Sequence, residues 1–510
     1  MAGDHRGRAV LDPGHPRRPP GLQHPQDPMS PPRRVAVVGI GASGVAAARL
    51  ALSRGDDCHV SDLRTDARAQ TAARGLRALG ADVDLGRHDL DRILHAQRVV
   101  VSPGIPPGAP VHLALADAGV PWVSEPQFAL EFHPGPLIAV TGTNGKTTTV
   151  LLLAHLLRSA GIRATAAGNT GGGLAPAASD AVREADGDPR TLVLELSSFQ
   201  LAGHGHVAPQ VGVVTSLAPD HLDRYPSVEA YWADKARLFQ AATPDSRWVL
   251  AADPNVEVLA GDAPGHRYRF HDRGPGGEAE GGDEALGSSH GHPVHAWVEG
   301  PRGGEAALVL ATEGPGSPEV LVPTDELGLL GRHNWKNALA ASLAARVHGA
   351  PLEGIRQGLR TFEPLPHRME PVAREGGVLW VNDSKATNAA AARAALESVD
   401  GPVVLLLGGS DKGEDLSGLL DDLPPGRVRA VVCQGDAGPR ILHGLRERSP
   451  EGVELVGEAG GFGSAVRRAR SLARPGDLLL LSPACASFDA FENYEARGRR
   501  FAELAREARS

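Results

Sequence analysis

Short apolar runs of strand length alternate along this chain with longer stretches whose apolar positions return every three or four residues. The runs at 35–39, 137–141, 192–196, 211–216, 403–407 and 478–481 are nearly continuous in aliphatic residues, as expected of strands covered on both faces. Helical spacing follows at 45–53, 150–157 and 227–239, and an alanine-rich stretch runs through Leu396. The alternation predicts an α/β protein built on parallel sheets, whose polar strand-end loops are where such sheets bind ligands.

Two segments break the pattern. Residues 1–32 carry eight prolines among His and Arg and no apolar core, which predicts a disordered extension rather than a signal peptide. Residues 271–295 hold seven glycines and several acids without a hydrophobic period, which predicts a flexible surface insertion. Three of its histidines, His290, His292 and His295, are better read as solvated than as metal ligands.

Composition narrows the field further. A length of 510 residues predicts about three domains at roughly 150 residues each. No apolar run approaches the ~18 residues of a membrane span. With 52 basic against 61 acidic side chains and no aromatic platform, the chain lacks the basic face of a nucleic-acid binder. Cys58, Cys433 and Cys485 are too far apart in sequence for a disulfide framework or CxxC spacing, which fits a reducing compartment.

Candidate chemistry lies in the strand-end loops. The first strand leads into GIGASG, where Gly39, Gly41 and Gly44 satisfy GxGxxG, a turn that brings backbone N–H groups close to a phosphate. With Asp62 at the end of the next strand, this motif taken alone points to NAD. The second nucleotide-like segment is TGTNGKTT, residues 141–148, between an apolar strand and an apolar helix. It is shorter than GxxxxGK[ST], because Val140 occupies the place of the first glycine. Gly142 and Gly145 permit tight turning, Lys146 can neutralise phosphate charge and Thr147 can ligate Mg2+.

Downstream, Glu195 ends a strand before Ser197, Ser198 and Gln200, where a carboxylate can hold a hard cation. His221 in PDHLDRY fits either a metal and proton-transfer role or a buried structural one, and Asp220 and Asp223 fit caps of the following turn. Nothing in its position singles out Lys235 over Lys336. In the last third, NDSKATN opens a helix that Asp383 could cap, and GGSDKG and SPACAS each follow a strand.

Together TGTNGKTT, ELSSFQL, DHLDRY, GRHNWKN and HRME resemble the Mur ligases, and NDSKATN with LSPACASFDAFENYEARG resembles the D-glutamate-adding branch of that family. The resemblance runs from about Arg33 to Phe501. It implies a Rossmann-like UDP-binding domain at 33–133, a central P-loop ATPase α/β domain at 134–365 that contains the insertion, and a Rossmann-like C-terminal domain at 366–510 that closes on ATP. The implied reaction is ATP-dependent ligation of D-glutamate to UDP-N-acetylmuramoyl-L-alanine through an acyl phosphate and a tetrahedral intermediate, in cytoplasmic peptidoglycan precursor synthesis.

The resemblance also reassigns GIGASG from NAD to the UDP moiety. It implies UDP-substrate contacts at Gly41, Ala42, Ser43, Asp62, Arg64, Ser102, Gly104 and Asn169. ATP contacts are implied at Gly142, Thr143, Asn144, Gly145, Lys146, Thr147, Thr148, Asn334, Asn337, Arg368 and Asp383. Two Mg2+ ions would be held by Thr147, Glu195, His221 and Lys235, the lysine being carbamylated. The implied catalytic set is Lys146, His221 and Lys235. A D-glutamate pocket is implied at Lys385, Thr387, Lys412, Ser487, Phe488 and Tyr494, in a monomer with no nucleic-acid or membrane partner.

Two positions depart from the family pattern. Ser216 stands where an asparagine is usual, and Leu63 where a small hydroxyl residue is common. The nearest rival reading is another Mur-type or folylpolyglutamate-type amino acid ligase, although DNPR, the mark of diaminopimelate-adding members, is absent. An NAD-dependent oxidoreductase is more distant, since the phosphate loop argues against it.

Overall fold

The computed structural model describes residues 32–507, apart from 171–172, 221–223, 273–292, 301–305, 313–317, 364, 400, 412, 414–415, 422, 424–425 and 459. The expected extension, all but its last residue, and nearly all of the expected insertion lie outside the described residues. His295 is described, and it is half-buried rather than fully solvated: its backbone joins two strands and its ring nitrogen accepts from the Arg269 N–H at 3.2 Å.

The chain divides into two compact units. The first comprises the described part of 1–134 with 178–188 and 203–205, and the second takes the remainder. Five parallel strands form the sheet of the first unit, in the spatial order Asp82–Leu85, Asp57–Asp62, Arg34–Val38, Arg98–Val101, Trp122–Val123. The order reverses beside Arg34–Val38, the switch point where open α/β sheets leave a crevice. Helix Ala42–Ser53 starts there and buries Ala46, Ala47, Leu50 and Ala51. The helix Ala178–Ala185, although it comes later in the chain, packs in this unit, and its Ser179 N–H donates to the wholly buried Glu125 at 2.5 Å.

A nine-stranded sheet and a six-stranded sheet make up the second unit. In the nine-stranded sheet Leu137–Thr141 lies between Val211–Val214 and Thr191–Glu195, parallel to both. Helix Lys146–Ser159 covers this region and places Val150, Leu152, Leu153, Leu156 and Leu157 in the core at 0% exposure, each contributing roughly 2 kcal/mol. Against it pack Arg332–His348 and Leu352–Thr361, so the phosphate-loop helix is held from both sheet and helix sides.

The six-stranded sheet has the order Glu370–Glu375, Val378–Asn382, Leu478–Leu481, Val403–Gly408, Val428–Gln434, Glu454–Gly457, antiparallel only at the first pair. The carboxyl ends of its central parallel strands lead into NDSKATN, SPACAS and GGSDKG. Among the described residues no helix is long and apolar enough to cross a membrane.

Candidate active site

In the first unit the GIGASG turn is built by exclusion of side chains. A Cβ on Gly44 would stand 1.9 Å from the Gly39 carbonyl oxygen, and one on Gly39 2.7 Å from the Ser102 Oγ. Gly41 has open space around it and sits at the N-terminal end of helix Ala42–Ser53 with no side-chain cap, leaving N–H groups for an anion. The Asp62 carboxylate accepts from the N–H groups of Ile40 at 2.7 Å and Arg64 at 2.8 Å. Burial alone would raise its pKa, but these bonds and the Arg64 guanidinium hold it below the usual value. Asp62 therefore fixes the turn itself. Ala42, Ser43 and Gly104 lie around the same strand ends, and Leu63 is 62% exposed.

In the second unit TGTNGKTT forms a loop closed by its neighbours. Gly145 has φ +85°, and a Cβ there would meet the Asn337 Oδ1 at 2.2 Å. Gly142 has φ +139°, and its Cβ would stand 2.2 Å from the Thr215 Oγ1. Only glycine combines these backbone angles with so close an approach. Asn337 donates to the Asn334 Oδ1 at 3.1 Å, and Asn334 to the Leu330 carbonyl at 2.7 Å, which fixes the pair against the loop. Ser216, the departure from the family pattern, accepts from the Asn144 N–H at 2.9 Å and donates back to the Asn144 carbonyl at 3.2 Å. Its hydroxyl braces the loop.

Three charged groups converge beneath this loop. Lys146 donates to the carbonyls of Gly142 at 3.0 Å and Thr143 at 2.8 Å, and Lys235 to the same Gly142 carbonyl at 2.8 Å. Lys235 is 1% exposed, on helix Val228–Ala236, with its ammonium 4.7 Å from the centre of the Tyr231 ring. Burial, reinforced by Lys146, pushes its pKa down to about 7. Burial also lowers the Lys146 pKa, against the opposing pull of Glu195 and Asp220. Glu195, 2% exposed, is raised by burial while Lys146 and the Thr147 hydroxyl act to lower it.

Among the described residues the Glu195 Oε2 is buried without a hydrogen-bond partner. A buried carboxylate oxygen so placed, with a threonine hydroxyl bonded to the same group and a phosphate loop above, fits a hard divalent cation. His221 lies outside the described residues. Among those described there is no cluster of three or more His, Cys, Asp or Glu able to hold a metal by themselves.

From the six-stranded sheet, Arg368 and Lys385 act electrostatically on Glu195, and burial lowers the pKa of both. Asp383 accepts from the Met369 N–H at 3.2 Å and the Ser482 hydroxyl at 2.8 Å, and burial pushes its pKa up to about 7. Asp383 does not cap the following helix; Asn388 does. Ser487 is buried, Thr387 and Tyr494 half-buried, and Phe488 is 68% exposed. Lys412 lies outside the described residues. Asn169 is exposed, and its N–H donates to the Glu195 carbonyl at 3.3 Å.

Sequence reasoning passed over His367 and Asn382. Asn382, fully buried, contacts the His367 Nδ1 at 2.9 Å and donates to the Glu370 carboxylate at 3.0 Å and the Gly498 carbonyl at 3.2 Å. His367 and Met369 both have positive φ, at 62° and 46°, so HRME turns sharply around Arg368. The motif's compactness was visible, but the backbone angles were not.

A nucleotide loop in a parallel sheet, an orphaned carboxylate beneath it and cationic loops from a second sheet define a class of ATP-using ligase. Family models agree: the Mur ligase MurD-like N-terminal domain matches residues 33–124, the Mur ligase middle domain 140–345, and the Mur ligase glutamate ligase domain 367–485. The chain belongs to the Mur ligase family, whose members are ATP-dependent enzymes forming C–N bonds with Mg2+.

Its relatives are more particular. The UDP-N-acetylmuramoylalanine–D-glutamate ligase of Rubrobacter xylanophilus is 42% identical, over 93% of this chain and 98% of that one. The proteins of the same name from Anaeromyxobacter dehalogenans and Thermobifida fusca are 41% and 40% identical, over 93% of this chain and 97% and 98% of theirs. Among solved structures, the fold is similar to MurF from Acinetobacter baumannii, with TM-score 0.55 and 17% identity over 89% of this chain and 92% of that one. It is also similar to UDP-N-acetylmuramate-alanine ligase MurC from Thermotoga maritima, with TM-score 0.53 and 18% identity over 93% of this chain and 100% of that one.

Proposed function

We propose that this enzyme joins D-glutamate to UDP-N-acetylmuramoyl-L-alanine at the expense of ATP, in the synthesis of the peptidoglycan precursor. The observation that carries the active-site reading is the buried, unpartnered Glu195 Oε2 beside Thr147 and Lys146. The relatives' names and the NDSKATN and SPACAS motifs support the choice of D-glutamate over other amino acids.

A carboxylate and an amine do not condense in water, because oxide is a poor leaving group. Transfer of the ATP γ-phosphoryl group to the alanyl carboxylate creates an acyl phosphate. Attack by the glutamate amine gives a tetrahedral intermediate, which collapses to amide and phosphate. Lys146, in its bonds to Gly142 and Thr143, lies within reach of the terminal phosphates and offsets their growing charge. The N–H groups at the start of helix Lys146–Ser159 orient the triphosphate, while Asn334 and Asn337 keep the loop in shape. Arg368 and Asp383 are assigned to the nucleotide, and Lys385, Thr387, Lys412, Ser487, Phe488 and Tyr494 to D-glutamate.

Thr147 and Glu195 would hold one Mg2+ and His221 and Lys235 would help hold a second, and the ions would supply charge neutralisation at the transferring phosphoryl group. The low pKa of Lys235 favours its carbamylation: at neutral pH much of the amine is unprotonated and able to add CO2, which would turn a cation into an oxygen ligand. The UDP moiety is assigned to Gly41, Ala42, Ser43, Asp62, Arg64, Ser102 and Gly104, with Asn169 towards the muramoyl group. We further assign the enzyme to the cytoplasm, where its nucleotide substrates are made, and to a monomeric state.

The test is phosphate release by purified enzyme given ATP, Mg2+ and UDP-N-acetylmuramoyl-L-alanine. Release should require D-glutamate; a requirement for L-lysine or diaminopimelate instead would refute the specificity. Carbamylation is read by 13C NMR in 13C-bicarbonate, as a carbamate signal lost in Lys235→Met.

A further inference from the structure

Arg497 has no role in the assignments above, although it lies within the 481–498 motif. It is 1% exposed, on the helix Tyr494–Glu507. Its Nε donates to the Ser384 Oγ at 2.9 Å, and its Nη2 to the carbonyls of Ser384 at 2.9 Å and Cys485 at 3.0 Å. Its Nη1 donates to the Ala486 carbonyl at 3.1 Å, and a Cβ on Gly409 would stand 2.9 Å from that same nitrogen. Ser384 passes the connection on, its hydroxyl donating to the Tyr494 carbonyl at 2.8 Å. One guanidinium thus ties together the loop that carries Lys385 and Thr387 and the loop that carries Ser487 and Phe488, and the glycine turn after strand Val403–Gly408 joins them through the Ser410 N–H, which donates to the same Ala486 carbonyl at 2.9 Å.

Every hydrogen-bond acceptor of Arg497 is neutral, and Asp489 acts on it only through space. A buried charge normally comes with a bonded countercharge, because leaving water is costly. Burial lowers its pKa to about 10, which still leaves it cationic at neutral pH. Bracing three loops needs donors but not a net charge. A cation bonded only to neutral acceptors behind them is explained if the ligand they hold is an anion.

We propose that Arg497 is a positioning residue for the amino-acid substrate: it locks the three loops to one another and adds a buried positive charge that favours an amino acid bearing a second carboxylate. This rests on the D-glutamate reading above, in which the substrate carries two carboxylates and one ammonium. Arg497 acts through Ser384, Cys485 and Ala486 rather than by touching the substrate.

The test measures phosphate release by the full-length enzyme, varying each substrate in turn. Arg497→Met should raise KM for D-glutamate by about thirtyfold, the loss expected for charge-assisted hydrogen bonds, while KM for ATP and for the UDP substrate stay within about threefold. Arg497→Lys keeps the charge without the fork and should fall between. Equal rises in all three constants, or no rise for D-glutamate, would overturn the proposal.

The charge is read separately, by competition with D-glutamine. Arg497→Met should shrink the wild-type preference for D-glutamate over the neutral amide, and an unchanged ratio overturns that half. Should Arg497→Met fail to unfold cooperatively, Ser384→Ala carries the test, with an expected rise of about fivefold in KM for D-glutamate alone; no rise counts against the proposal. Failure of the functional reading is distinct, since wild-type enzyme would then show no phosphate release dependent on D-glutamate.

Discussion

Replacing Lys235 with methionine should stabilise the protein while destroying its activity. The side chain is 1% exposed, and its pKa falls from an ordinary 10.5 to about 7. Because the folded value lies below the unfolded one, the unfolded chain binds the extra proton over the interval between them. Stability is therefore lost progressively as pH falls from 10.5 to 7 and changes no further below. At pH 8 the deficit is on the order of 3 kcal/mol, at 1.36 kcal/mol per pH unit.

Methionine removes that deficit with little change of shape. It forfeits one hydrogen bond to the Gly142 carbonyl, worth about 1 kcal/mol, but Lys146 still donates to that oxygen, so no acceptor is orphaned. The net gain is about 2 kcal/mol, or roughly 4 °C in Tm. The assay is thermal unfolding from pH 7 to 10 in nucleotide-free, bicarbonate-depleted buffer. Lys235→Met should melt higher than wild type at pH 8 and lose part of the rise with pH, with phosphate release below detection. A variant that melts lower, or keeps the full pH slope, would refute the idea that Lys235 is a desolvated amine held against its preference.

Lys146→Ala should abolish phosphate release while leaving cooperative unfolding intact; near-normal turnover would contradict the phosphate-loop assignment. For Gly145→Ala, the φ of +85° costs about 1 kcal/mol, and moving Asn337 away from the new Cβ costs about another. Calorimetric titration should therefore show ATP affinity down about thirtyfold, and an unchanged affinity would mean that the loop opens freely. In the first unit, burial pushes the Glu125 pKa up to about 7 from 4.5, so its contribution to stability is fullest below 4.5 and is lost as pH rises through 7. Glu125→Gln keeps an acceptor for the Ser179 N–H and should raise Tm at pH 8 but scarcely at pH 5, by up to about 3 kcal/mol in stability.

The parallel strands were legible because a strand buried on both faces leaves an unbroken aliphatic run. Residues 137–141 and 478–481 show this, and both have the bounds read from sequence. The helix after the phosphate loop begins at Lys146, earlier than its apolar stretch at 150–157, because its first turn is polar and faces the loop. Asp62 was legible as an acid at a strand end, but not that two N–H groups take up its carboxylate. Lys235 could not be told from Lys336 in sequence, since burial is a tertiary property: one is 1% exposed, while the other forms a half-exposed ion pair with Asp272. Arg497 was hidden for the same reason. A lone arginine near a helix start reads as surface until its acceptors, distant in sequence, are folded around it.

A chain with formal charge −9 must bind ATP and two further anionic substrates, and it does so by concentrating cations locally around the phosphate loop. Lys146, Lys235, Arg368 and Lys385 all have pKa values lowered first by burial, and in three of these four groups a neighbouring cation lowers them further: Lys146 acts on Lys235, and Arg368 on both Lys146 and Lys385. Glu195 acts against this lowering at all four, joined by Asp220 at Lys146 and Lys235, by Asp383 at Arg368 and by Glu495 at Lys385. Without ligand this is an unfavourable cluster, kept together by hydrophobic burial around helix Lys146–Ser159 and by the buried network at Asn382, Ser384 and Arg497. The repulsion stored there is released when phosphates and carboxylates enter. The same energy that makes the empty site costly then favours the binding of anionic groups at this loop.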